Sequence, residues 1–239
     1  MTISAILWDY DGTLVDSSHK NFMTTREIMS HINPAMYEDA WPLALTSFEE
    51  YKGAIHSAVN WRDFYMNHFG LSKQQIDDAG ALWSEFQLKN QTPVEIFDGI
   101  PELLRNLSPT PQGICSLNCS INIEKELQQR QLLDCFNSIV GYNSVLISKP
   151  KPDPQSFMVC LEQMQVPVAG NIIYIGDHHE DTEFARNAES FLRNDKNQLR
   201  VIKIAACYSG AKPDLWAVKP DYQAHSVEEM VSIIASCAS

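Results

Sequence analysis

Short apolar runs alternate along this chain with longer stretches whose hydrophobic residues recur every three or four positions. Runs at residues 3–8, 113–116, 138–140, 172–175 and 201–206, each bounded by Gly, Pro, Asn or Asp, read as strands buried on both faces. With amphipathic stretches between them, they predict an α/β fold built on a mostly parallel sheet.

Residues 18–93 carry no strand-like run and read as several helices inserted between the first two strands. Ile76, Ala79, Trp83 and Phe86 repeat at helical spacing, and Ser72 stands three residues before Gln75, as in a capping box. Trp61, Phe64, Tyr65 and Phe69 repeat in the same way and predict a second helix of a small bundle. The domain division expected is therefore a core of 1–17 and 94–239 with a helical insert at 18–93. Pro101 sits in the first turn of a helix expected to run to Leu107, where its missing N–H costs nothing. Ser226 and Glu229 have S-x-x-E spacing ahead of a closing helix that carries Met230, Val231, Ile233 and Ile234.

The 239 residues are 44% hydrophobic and 20% charged, with 10 Gly and 12 Pro, a balance that excludes disorder and fibrous structure as the main state. Eighteen basic against 30 acidic residues leave a charge of −12, so nucleic acid and anionic lipid are not expected partners. No run of about 18 apolar residues occurs, and MTISAILWDYDGT has no basic region before a long apolar one, so neither membrane spanning nor secretion is expected. The six cysteines are scattered among apolar runs, and Cys115 and Cys119 have no second ligand pair nearby. They read as reduced core thiols rather than a zinc site, in a cytoplasmic setting.

Candidate chemistry concentrates in Leu7-Trp8-Asp9-Tyr10-Asp11-Gly12-Thr13, where two carboxylates follow an apolar strand directly. Ligands of open α/β sheets bind at that edge. Carboxylates buried there cost several kcal/mol unless paired or bound to a metal, and an all-oxygen environment favours Mg2+. A second strand, 172–175, ends in Gly176-Asp177-His178-His179-Glu180-Asp181, so four acids are expected to converge. Adjacent His178 and His179 cannot both face one metal from a helix.

These motifs resemble the haloacid dehalogenase superfamily of aspartate-dependent phosphohydrolases, in its phosphoglycolate phosphatase and beta-phosphoglucomutase-like branch. Asp9 to Thr13 match its D-x-D-G-T motif, and Gly176, Asp177 and Asp181 match its G-D-x-x-x-D motif. Ser116 matches the strand-ending Ser or Thr, and Lys151-Pro152-Asp153-Pro154 matches the lysine motif, with Lys149-Pro150 as a competing register. Leu117 and Glu189 depart from the pattern, standing where Asn and Gly are common.

The resemblance implies a Rossmann-like core, a helical C1-type cap at 18–93 with hinges near 16–18 and 91–95, and hydrolysis of a small phosphorylated metabolite. It implies Asp9 as nucleophile and Asp11 as general acid and base. Ser116, Lys151 and the Gly12 backbone would hold the phosphoryl group. Mg2+ would be bound by the carboxylates of Asp9 and Asp177 and the Asp11 carbonyl, with Asp181 supporting from behind. Lys52 is the cap residue expected to touch substrate, with Arg26 and Arg62 as further candidates. A phosphomutase, a phosphonoacetaldehyde-hydrolase-like enzyme and a non-catalytic phospho-ligand binding module are the alternatives.

Overall fold

The computed structural model describes residues 2–34, 40–58, 60–144, 149–166, 169–194 and 198–238. The chain divides into two compact units, one of Met1–Asp16 with Ile96–Ser239 and one of Ser17–Glu95.

The strands are β1 (Ile3–Trp8), β2 (Val15–Asp16), β3 (Glu95–Ile96), β4 (Gln112–Cys115), β5 (Ser138–Val140), β6 (Ala169–Gly176), β7 (Gln198–Ala206) and β8 (Tyr222–Ala224), all but Glu95 lying in the first unit. Six of them form one sheet in the order β5-β4-β1-β6-β7-β8, with every pairing parallel. Trp8 is level with Ile114 on one side and Ile175 on the other, so β1 lies where the strand order reverses. That register puts Asp9, Ser116 and Asp177 at one edge, each just past the end of its strand.

Crossover connections cover both faces of such a sheet, which is why β1 and the 172–175 stretch of β6 are continuously apolar. Leu7, Tyr174, Phe157 and Phe184 pack in one buried cluster. The one large polar demand in β1, the Trp8 indole N–H, is met by Gln112 Oε1 at 3.1 Å. Gln112 in turn donates to the Leu104 carbonyl at 2.9 Å.

Helices of this unit are α5 (Ile100–Asn106), α6 (Ser120–Gln129), α7 (Gln155–Met164), α8 (His179–Asn194) and α9 (Val227–Ala238); α1 to α4 belong to the insert. The helix expected to run to Leu107 stops one residue short, with Leu107 as its cap. Ser226 Oγ accepts from Glu229 N at 3.2 Å, but the Glu229 carboxylate reaches His225 N instead of returning to Ser226. Among the described residues, no helix is long and apolar enough to cross a membrane.

The second unit contains α1 (Ser18–Ile32), α2 (Phe48–Ser57), α3 (Trp61–Phe69) and α4 (Lys73–Lys89). The expected box is present, Ser72 Oγ accepting from Gln75 N while Gln75 Oε1 accepts from Ser72 N. Phe64 is the centre of its core, with Tyr51, Tyr65 and Phe69 rings 5.5, 5.8 and 4.8 Å away. Gly80 lets α4 approach α3 closely, since a Cβ there would sit 2.8 Å from the Trp61 ring.

Candidate active site

Three carboxylates and one ammonium meet at the C-terminal edge of β1 and β6. One oxygen each from Asp9, Asp177 and Asp181 lie within 4.8 Å of one another. Lys151 Nζ donates to Asp9 Oδ1 at 2.7 Å and to Asp181 Oδ1 at 2.8 Å, and all three side chains are at least nine-tenths buried. Asp181 Oδ1 also accepts from the Tyr174 hydroxyl at 3.1 Å, and its other oxygen accepts from His178 N at 3.1 Å. Two aromatic faces, Tyr174 and Phe184, stand 5.3 Å from the ammonium.

Charge in this pocket is unbalanced. Burial pushes the Asp9 carboxyl up to about 7, with Lys151 pulling it back and Asp181 and Asp11 adding to the rise. Burial works against the Lys151 charge, yet Asp181 and Asp9 outweigh it and hold the ammonium above the ordinary lysine value. Asp177 is raised well above the usual carboxylate range, first by burial and then by the charges of Asp9, Asp181 and Asp11. One buried cation cannot neutralise three clustered carboxylates, two of them buried and Asp177 half-buried, and a hard divalent ion among all-oxygen donors is what this donor set fits.

The backbone makes room for the cluster. Gly12 has φ +80, and a Cβ on it would lie 2.1 Å from Asp177 Oδ2, so both conformation and space demand glycine. Gly176 serves Asp181 similarly, with a hypothetical Cβ 2.3 Å from its carboxyl carbon. The turn after Asp9 is closed by Gly12 N donating to Val15 O and Leu14 N to Tyr10 O. Tyr208 anchors it from the loop after β7, donating to the Thr13 carbonyl at 2.6 Å. Beside it, Ser209 Oγ lies 3.4 Å from Asp177 Oδ2.

Asp11 stands apart from the carboxylate trio, and its Oδ2 accepts from Asn118 Nδ2 at 2.9 Å. Ser116 continues the sheet through its N–H to the Val140 carbonyl, and its Oγ accepts from Asn118 N at 3.1 Å. Lys149, the competing register, is exposed, whereas Lys151 is buried. The His178 and His179 rings lie side by side, tilted 45° to each other with centroids 4.1 Å apart.

The candidates of the insert lie in the second unit. Lys52 Nζ on α2 is 5.4 Å from the Phe48 ring, Arg26 on α1 lies over Trp41 at 4.5 Å, and Arg62 pairs with Asp77 at 2.6 Å. Cys115 and Cys119 are free and buried. Sequence reading missed three contributors. Tyr174 reads as core within its apolar run, Ser209 belongs to no motif, and Asn118 is one residue beyond the place where the pattern has its Asn.

Comparison with known proteins bears on the same residues. The haloacid dehalogenase-like hydrolase family profile matches residues 6–191. A relative named pyrophosphatase PpaX, from Listeria monocytogenes serotype 4a, is 24% identical over 97% of this chain and 96% of its own length. A phosphoglycolate phosphatase of Synechococcus elongatus is 27% identical over 86% of this chain and 90% of its own. The crystal structure of a haloacid dehalogenase-like hydrolase from Streptococcus pneumoniae superimposes with a TM-score of 0.69 at 22% identity, covering 97% of this chain and 98% of that one.

Proposed function

Since the chain belongs to the haloacid dehalogenase-like hydrolase family, we propose that it is a magnesium-dependent phosphatase that acts on a small phosphorylated metabolite through an aspartyl-phosphate. The observation that carries this reading is the Asp9 carboxylate clamped by Lys151, beside Asp177 and one residue removed from a separately held Asp11.

In the first step an Asp9 oxygen bonds to phosphorus as the bond to the leaving oxygen breaks, and Asp11 gives that oxygen its proton. In the second, water attacks phosphorus and gives a proton to Asp11, which frees inorganic phosphate and restores Asp9. Two unit charges ~4 Å apart repel by about 4 kcal/mol at an effective dielectric of ~20, so attack on a phosphate dianion needs local positive charge. Lys151 supplies part of it. Asp9, Asp177 and the Asp11 carbonyl would hold Mg2+, whose chemistry is to offset charge on the phosphoryl oxygens. Ser116 would donate to a phosphoryl oxygen, and the Gly12 turn would offer backbone N–H groups. The helical insert, with Lys52, is proposed to select the substrate.

The test is phosphate release from a panel of phosphorylated metabolites. The panel includes phosphoglycolate and pyrophosphate, on which the relatives' names bear, with Asp9→Asn as the blank. Release that vanishes in the variant and in EDTA supports the reading. A wild type inactive on the whole panel would favour a phospho-ligand binding module.

A further inference from the structure

We infer that Asn118 is a positioning residue that fixes which oxygen of Asp11 delivers the proton to the leaving group, an inference that rests on the phosphatase reading above. The amide orientation is set by backbone chemistry. Cys119 N–H donates to the Asn118 side chain at 2.7 Å, and only the carbonyl oxygen Oδ1 can accept it. Asn122 Nδ2 approaches the same oxygen at 3.4 Å. The NH2 end of Asn118 must then be the end facing Asp11 Oδ2 at 2.9 Å, so this is not an ambiguous amide flip.

An amide NH2 only donates, so it makes Oδ2 an acceptor and leaves the proton of a neutral Asp11 on Oδ1. The two oxygens of the acid are thereby made unequal. When the bond between phosphorus and the leaving oxygen breaks, the Oδ1 proton passes to that oxygen, and the electron pair it leaves behind is stabilised by the Asn118 N–H. Asn118 is held firmly enough for this. It is 5% exposed, its side chain is tied to Cys119, and its own N–H is bonded to Ser116 Oγ. One residue thus joins the serine that follows β4 to the acid in the turn after β1.

A leaving group that needs no proton separates this role from a structural one. General acid assistance is worth roughly 10²- to 10⁴-fold on a poor leaving group and little on a nitrophenolate. kcat/KM, which covers the steps through departure of the leaving group and excludes the hydrolysis shared by both esters, is measured on glycerol phosphate and on p-nitrophenyl phosphate for wild type, Asn118→Ala and Asn118→Ser. The serine variant retains a hydroxyl that can accept from Cys119 N–H but does not reach Asp11, so it guards against loop collapse.

The expected result is a fall of about tenfold or more on glycerol phosphate, with less than about threefold on the nitrophenyl ester, in both variants. Equal falls on the two esters, or no fall on either, overturn the role of Asn118 and leave the phosphatase reading intact. A wild type that releases phosphate from neither ester overturns both.

Discussion

Lys151→Met removes the ammonium bonded to both Asp9 and Asp181 while keeping most of its length. At the observed 2.7 and 2.8 Å, each contact is worth roughly 6 kcal/mol at an effective dielectric of ~20, before the cost of burying the ions. With the lysine gone, two carboxylates within 4.8 Å repel by roughly 3.5 kcal/mol or more. Proton uptake limits the damage, because holding an aspartic acid of ordinary pKa about 3.9 neutral at pH 7 costs about 4 kcal/mol. Breaking a buried pair typically costs ~3–5 kcal/mol, and the two routes agree.

The pH dependence follows from the direction of the Asp9 shift. Its folded value, about 7, lies above the unfolded one, so its contribution is full at low pH and is lost as pH rises through the folded value. In the wild type that loss ends near 7. In the variant nothing pulls the carboxyl back down, so the loss continues and the deficit widens by about 1.4 kcal/mol per pH unit above ~7. Lys151 itself is raised and stays charged throughout this range. Urea unfolding followed by tryptophan fluorescence, in EDTA at pH 6 and 8.5, measures both effects. A deficit below ~1 kcal/mol at pH 7, or one equal at the two pH values, refutes the reasoning.

Gly12→Ala should fold with a loss of about 1–2 kcal/mol from its positive φ alone. The new Cβ would displace the Asp177 carboxylate, so magnesium half-saturation of turnover should rise at least tenfold, and an unchanged magnesium requirement would contradict the packing described. EDTA should abolish phosphate release and excess Mg2+ restore it; activity that survives chelation removes the metal from the reading. Arg62→Ala breaks an exposed pair with Asp77 and should change stability by less than about 1 kcal/mol in thermal unfolding. Gly80→Ala, by contrast, presses on the Trp61 ring and should cost about 1–3 kcal/mol.

The strands legible in the sequence were those whose buried residues are apolar, because burial on both faces leaves a continuous run. Their ends were less visible. β6 begins at Ala169 and β7 at Gln198, earlier than their apolar runs, because Asn171 and Arg200 pair in register as readily as isoleucine does. β8 was not expected: Tyr222–Ala224 is a three-residue edge strand whose first residue is exposed, so its sequence carries no alternation to read. The site residues brought together by the fold were legible where a motif names them, as with Asp9, Lys151, Asp177 and Asp181. Asn118 and Ser209 act through geometry between distant loops, and no local spacing encodes that. The need for Gly12 was legible only as a turn, because the carboxylate pressing against it lies 165 residues away in sequence.

The central place of β1 has a consequence for the nascent chain. Its six residues are complete at Trp8, yet its sheet neighbours arrive only with residues 112–115 and 169–176. At a synthesis rate of about 5–20 residues per second, roughly 5–20 seconds pass before the first neighbour emerges. Throughout that interval an apolar segment with both edges unsatisfied stays available to other chains, which exposes ISAILW to mispairing during translation.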